Sequence, residues 1–245
     1  MSIDLNADVG EGCDDESLLP FLTSANVACG MHAGSPSLMD RTVALALERG
    51  VRVGAHPGYD DRANFGRREL DVPNDEVENL VLYQVAALDG FVRARGGRLS
   101  HVKAHGALYN RAAREIDLAR AIARGVRRYR QDLVLVGLAG SRLLDAAEEL
   151  GLSAAGEAFA DRRYLPNGAL MPRGQAGSVL TDPGVAAAQA LQIARDGFVT
   201  ASDGSRLAVA ARTLCLHGDT PGAPRIAATV REQLERAGIA VAPLA

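Results

Sequence analysis

Residues 100–105 read Ser-His-Val-Lys-Ala-His and residues 3–8 read Ile-Asp-Leu-Asn-Ala-Asp, two short runs in which polar and apolar side chains alternate. Side chains two apart in a strand share a face. His101, Lys103 and His105 therefore form one stripe, with Val102 and Ala104 opposite, and Asp4, Asn6 and Asp8 form another. The interior of a β/α barrel is ordinarily filled by branched apolar residues, so two inward polar stripes are costly unless they pair with each other or with a ligand. Their complementary charges predict that they face one another.

Outward from these two segments, apolar or β-branched runs alternate with Ala-, Leu- and Arg-rich stretches of helical period, the pattern of repeated βα units. Strands are predicted at 3–8, 24–29, 51–56, 100–105, 133–138, 152–157, 177–181 and 213–217, seven or eight in all. Helices are predicted at 35–49, 75–95, 114–129, 141–150, 183–196 and 224–237. Ser35-Pro36 and Asp182-Pro183 read as N-caps followed by proline in the first turn, and Gly50, Gly96, Gly151, Gly197 and Gly238 as stops. With no repeat or flexible linker to divide the chain, the expected fold class is α/β, one closed (β/α)-barrel domain over 1–245; a doubly wound open sheet is the alternative.

Composition narrows the function. The chain has 245 residues, 47% of them hydrophobic, and a net charge of -3, which disfavours nucleic acid as a partner. No apolar stretch is long enough to span a membrane and the N-terminus has no leader-like pattern, so a cytoplasmic location is expected. Cys13, Cys29 and Cys215 are dispersed and form no CxxC pair, the pattern of reduced thiols. Ten Phe and Tyr residues and no Trp favour a small polar substrate over a polymer. Lys103 is the only lysine among 27 basic residues. An ammonium can approach a reacting atom as a compact charge, which a planar guanidinium does poorly, and this singles Lys103 out as a catalytic candidate.

In β/α barrels, reactive groups gather where strands end. His32, His56, His105 and His217 fall at or just past predicted strand ends, as do Asp8, Glu157 and Asp219. Two charged loops follow the third and sixth strands: Asp60-Asp61-Arg62 with Arg67-Arg68, and Asp161-Arg162-Arg163. Their arginines suit a carboxylate or phosphate. No GxxxxGK[ST], GxSxG or HExxH is present, which argues against a Walker-type nucleotide site, a serine hydrolase elbow and a zincin.

The blocks IDLNADVGE, SANVACGMHAG, VGAHPGYDD, FGRREL, HVKAHGALYN, EAFADRRY, GSVLTD and LCLHGDTP, spread in order over about residues 2–225, resemble the LamB/YcsF family. The resemblance implies a seven-stranded barrel like those of glycoside hydrolases and polysaccharide deacetylases. It further implies ATP-dependent hydrolysis of 5-oxo-L-proline to L-glutamate, with Mg²⁺-ATP as cosubstrate, in a complex with B and C subunits. Ala104 stands where the family usually has proline, and Ala7 also departs from its pattern; both fall opposite the polar stripes.

Within this resemblance Asp8, Lys103, His105 and Glu157 are the catalytic candidates. Asp4, Asn6, Asn26, His32, His56, Arg67, Arg68, His101, Asn110, Asp161, Arg162, His217 and Asp219 are expected to bind substrate. Asp8 or His105 would activate water, Lys103 would meet developing negative charge, and Arg67, Arg68 or Arg162 would hold a carboxylate or phosphoryl group. Two other readings stay open. One is a metal-dependent amide hydrolase, since the related deacetylase barrels use an Asp-His-His site and Asp8, His32 and His56 supply those types. The other is a non-catalytic binding subunit. Partner contacts are expected on the loops 57–70 and 157–174.

Overall fold

The structure, a computed structural model, describes residues 1–244. Strands β1 (Ser2–Val9), β2 (Ser24–Ala28), β3 (Arg52–His56), β4 (Leu99–Lys103), β5 (Val134–Leu138) and β6 (Ala154–Phe159) pair in sequence order, all parallel. A short antiparallel hairpin, β7 (Phe198–Thr200) and β8 (Arg206–Ala208), lies outside this sheet. Strand β9 (Thr213–His217) then pairs with both β6 and β1 and closes a seven-stranded barrel. Two residues of β10 (Ala240–Val241) add alongside the start of β1.

Between β1 and β2 the chain makes only α1 (Asp15–Leu18) and a 3₁₀ turn. Helices α2 (Pro36–Glu48), α3 (Asn74–Ala94), α4 (Gly106–Ala112), α5 (Ile116–Tyr129), α6 (Arg142–Glu149) and α7 (Pro183–Leu191) return the chain between later strands, and α8 (Ala223–Arg236) follows β9. Both expected caps are made. Ser35 Oγ accepts from the Leu38 amide at 3.2 Å and Asp182 Oδ1 from Val185 at 2.9 Å, each with proline in the first turn. The five stop glycines all adopt left-handed φ just past helical segments.

The main apolar core lies between sheet and helices. Leu5, Val27, Val53, Val102, Leu135 and Leu214 from the strands join Val43, Leu88, Ile122, Leu143 and Val230 from the helices in one buried cluster. The inside of the barrel is polar instead, and its groups are paired in layers. At the bottom Asp4 accepts from Thr23 and Ser24 hydroxyls at 2.7 and 2.6 Å and from Thr213 at 2.5 Å. Above it, the Asn6 amide donates to Glu157 Oε1 (3.0 Å) and Thr213 (2.6 Å), and Asn26 Oδ1 meets His101 Nε2 at 2.9 Å. The His101 ring crosses β3 where Gly54 leaves room: a Cβ there would sit 2.1 Å from Nε2.

Several boundaries differ from expectation for local reasons. Residues 177–181 form no barrel strand; that run lies in the loop after β6 and pairs there with residues 161–163, through the Arg162–Val179 bridge and the Leu180 amide on the Asp161 carbonyl. The sixth strand runs two residues later than predicted, which places Glu157 inside the barrel rather than at its rim. The segment 106–129 divides into α4 and α5 around residues 113–115, and α7 ends in a π turn over Gln192–Asp196.

Candidate active site

The C-terminal ends of the strands surround a cavity of about 660 Å³. Its floor is made by Asp8 from β1, Glu11 just beyond it, His56 ending β3, Lys103 ending β4, His105 beyond, and His217 ending β9. Arg67, Asn110, Arg162, Arg173 and Asp219 stand around it.

The predicted facing of the two stripes is present. Lys103 Nζ lies 2.9 Å from Asp8 Oδ1 and 2.9 Å from Glu157 Oε1, with Cys215 Sγ at 3.1 Å and Asn6 Oδ1 at 3.4 Å. Tyr109 donates to the other Glu157 oxygen at 2.8 Å. An ammonium has three protons; Asp8, Glu157 and Cys215 take them. Lys103 is therefore a buried counter-ion to two carboxylates, and the expectation of a donor free for substrate gives way to this arrangement. Burial opposes the charge, but Asp8, Cys215 and Glu157 raise the Lys103 pKa well above its usual value. Burial likewise opposes ionisation of Asp8, and the neighbouring His56 and Lys103 charges outweigh it and hold Asp8 well below the ordinary carboxylate range.

Beside Asp8 three imidazoles and a glutamate crowd together. His56 donates from Nδ1 to the Lys103 carbonyl at 2.8 Å and turns Nε2 inward, 3.3 Å from Asp8 Oδ2 and 3.0 Å from His105 Nδ1. His105 donates from Nε2 to the Phe65 carbonyl at 2.8 Å. Phe65 is the one non-glycine among the described residues with positive φ, at 54°, and that strained turn aims its carbonyl at His105. His32 stacks flat on His105 at 3.8 Å between centroids and sets Nε2 3.0 Å from Glu11 Oε1. Among the described residues its Nδ1 has no partner; it packs against Gly58. Burial, together with the His56 charge, lowers His32 to about 2 and His105 well below the usual imidazole value. Opposing its own burial, Asp8 raises His56. Burial pushes Glu11 up to about 7.

Across the cavity, Asp161 takes His217 Nδ1–H at 2.9 Å, the His217 backbone N–H at 3.0 Å and the Thr220 hydroxyl at 3.1 Å. The ring, stacked on Phe159 at 5.3 Å, thus has Nε2 available on the side away from Asp161. Asp219 bridges Arg67 (2.6 Å) and Arg173 (3.4 Å). Arg162 is buried and, among the described residues, has carbonyl partners only, Ser178 at 3.3 Å and Met171 at 2.6 Å. Burial, reinforced by Arg173, lowers its pKa to about 10.

Of the residues singled out from sequence, Asp8, His56, Arg67, Lys103, His105, Asn110, Arg162, His217 and Asp219 line the cavity. Asp4, Asn6, Asn26, His101 and Glu157 lie below it as a hydrogen-bonded support, and Asp161 and His32 lie behind lining residues. Arg68 turns outward toward Asp61, 3.7 Å away. Sequence reasoning missed Glu11, Tyr109, Cys215 and Arg173. Glu11 had a signal: it is a carboxylate between two glycines just past a strand end, the position that drew attention to Asp219.

Residues 3–245 match the profile of the LamB/YcsF family. A Streptomyces coelicolor protein, named as the A-type subunit of 5-oxoprolinase, is 54% identical over 249 residues, covering 99% of this chain and all of that protein. The crystal structure of a lactam utilization protein from Thermus thermophilus superposes with a TM-score of 0.94 at 46% identity, covering 100% of both chains. A structure described as T48 deacetylase with substrate gives a TM-score of 0.52 at 16% identity, covering 99% of this chain and 87% of that one, a likeness of fold.

Proposed function

The chain belongs to the LamB/YcsF family, and from that premise we propose that it is the lactam-opening subunit of an ATP-dependent 5-oxoprolinase, converting 5-oxo-L-proline to L-glutamate. Relatives that carry the 5-oxoprolinase name support the substrate. The observation that carries the chemistry is a pair of proton-transfer groups brought together on one cavity floor. Atoms of Asp8, Cys215 and His217 lie within 4.8 Å of one another, with His56 behind Asp8 and Asp161 behind His217.

A five-membered lactam is resonance-stabilised and resists water. In this reading the substrate carboxylate is held by Arg162, which lacks a carboxylate partner of its own, with Arg67 and Arg173 adjacent. The lactam carbon lies over Asp8, which takes a proton from the attacking water. His217, its tautomer set by Asp161, gives a proton to the ring nitrogen as the C–N bond breaks. Lys103 works at one remove, keeping Asp8 ionised. A carboxylate held this low is a weak base, so it suits an electrophile that has been activated beforehand. ATP supplies that activation by phosphorylating the lactam oxygen, with ADP leaving; ring opening then leaves a γ-glutamyl phosphate, which a second water hydrolyses to glutamate and inorganic phosphate. The arginines of the cavity wall suit a phosphoryl group, and we assign nucleotide use to the assembly with B and C subunits, contacted through loops 57–70 and 157–174.

A second reading, a metal-dependent amide hydrolase, is favoured by one observation: Glu11, His32, His56 and His105 each offer a ligand atom, all within 4.8 Å of one another. A divalent ion held there would polarise the lactam carbonyl and acidify water. The deciding experiment combines the chain with purified B and C subunits and follows glutamate and ADP together. Coupled, ATP-dependent release of both is expected only from the full set; efficient ATP-independent hydrolysis by the chain alone would refute the proposal.

A further inference from the structure

We propose that Glu11, His32, His56 and His105 form a binding site for one divalent transition-metal ion of the zinc, cobalt or manganese class. Neither Glu11 nor His105 was among the metal candidates suggested by sequence, and Asp8, which was, has one oxygen committed to Lys103 and Asn26 at 2.9 Å each.

The first reason is convergence. Glu11 Oε1 lies 3.0 Å from His32 Nε2, 3.3 Å from His105 Nδ1 and 3.8 Å from His56 Nε2. One carboxylate oxygen and three ring nitrogens, drawn from the segments after β1, β2, β3 and β4, thus surround one point. This donor set suits a borderline ion, and a carboxylate on a desolvated floor gains most from a cation beside it.

The second reason is orientation. An imidazole that binds a metal through one nitrogen typically donates the other N–H to a carbonyl or carboxylate, which fixes both tautomer and ring direction. His56 does this from Nδ1 to the Lys103 carbonyl, leaving Nε2 inward, and His105 does it from Nε2 to the Phe65 carbonyl, leaving Nδ1 inward. The two rings use opposite nitrogens, yet both inward atoms reach the same point. His32 has no such outer partner.

The third reason is the close-built cage. A Cβ on Gly58 would lie 2.7 Å from His32 Nδ1, and one on Gly66 would lie 2.8 Å from His32 and 2.9 Å from His105. Backbone therefore packs directly on the rings and holds the ligand atoms in place. Glu11, His56 and His105 also line the cavity, so one side of the site is open to water or substrate.

The inference is independent of the lactam reading, because its test measures binding and spectra on the isolated chain. Chelator-stripped protein titrated with Zn²⁺ in a calorimeter should bind about one equivalent, and Glu11→Gln should weaken binding at least about tenfold. In ¹⁵N-imidazole NMR of the unmodified chain, Zn²⁺ should shift His32, His56 and His105 and leave His101 in place, a readout that needs no variant to fold. The Co²⁺-loaded chain should show visible ligand-field bands without a thiolate charge-transfer band. Absence of saturable binding, affinity unchanged in folded Glu11→Gln, or a thiolate band abolished by Cys215→Ser, which would put the ion at Asp8, Cys215 and His217, would each overturn it.

Discussion

Lys103 Nζ stands 2.9 Å from Asp8 Oδ1 while its other donors go to Glu157 and Cys215, so the only lysine of the chain is shared as counter-ion by two buried carboxylates. Removing Lys103 strands the Glu157 charge where water cannot reach it, a loss of about 3–5 kcal/mol. Lys103→Met should lower the thermal midpoint sharply and reduce kcat of the complete enzyme about a hundredfold or more. Lys103→Arg should rescue poorly, because a planar fork does not fit between Asp8 and Glu157. The double variant Lys103→Met/Glu157→Gln, with one buried charge fewer, should regain stability without regaining activity. Recovery of both together would remove Lys103 from the proposed mechanism.

The same cluster shows what was readable in advance. Polar residues two apart at 4, 6 and 8 and at 101, 103 and 105 identify inward faces whatever the neighbours do, because strand geometry alone sets them. Which groups then meet is decided by the closure and stagger of the sheet. That stagger put Glu157 against Lys103 inside the barrel, and no local pattern encodes it. Residues 177–181 have strand-like composition, yet β9 already occupies the position between β6 and β1, and they pair instead with residues 161–163 of the loop after β6. Glu11 escaped notice because a glycine-flanked loop residue has no periodicity; its neighbours come from three other segments.

Asp15 provides a stability test apart from catalysis. Its Oδ2 accepts the Gly10 amide at 2.8 Å, its Oδ1 has no partner, and burial pushes its pKa up to about 6. The folded chain therefore binds this proton more tightly than the unfolded chain, whose value is about 4. The resulting stability is complete below about pH 4 and is lost as pH rises through about 6. Asp15→Asn imitates the protonated form and can still accept from Gly10. Its urea midpoint minus that of the wild type should rise from about pH 4 to about pH 6 and then level off; a flat difference would show that Asp15 titrates normally.

Arg162 and Arg68, both singled out from sequence as anion ligands, have different surroundings. Arg162 is buried with only carbonyl partners, whereas the Arg68 side chain is 64% exposed and leans toward Asp61. Arg162→Gln should raise KM for 5-oxoproline about tenfold or more with a smaller change in kcat, and Arg68→Gln should change neither. Steady-state kinetics of the reconstituted enzyme would show the contrast; equal effects would place the carboxylate elsewhere.

Asp161 does not itself line the cavity and holds His217, which does, through both the ring and the backbone amide, at 2.9 and 3.0 Å. That grip fixes Nδ1 as the protonated nitrogen and leaves Nε2 to exchange a proton with the substrate. Asp161→Asn preserves shape and still accepts one hydrogen bond, but it removes the charge that supports an imidazolium and can offer its amide to Nδ1, selecting the wrong tautomer. The expected result is a fall in kcat of about 10²–10⁴ with little change in KM. A purely structural role would reduce stability and leave kcat of the folded enzyme where it was. A folded Asp161→Asn enzyme with kcat within about threefold of wild type would assign delivery of the proton to another group.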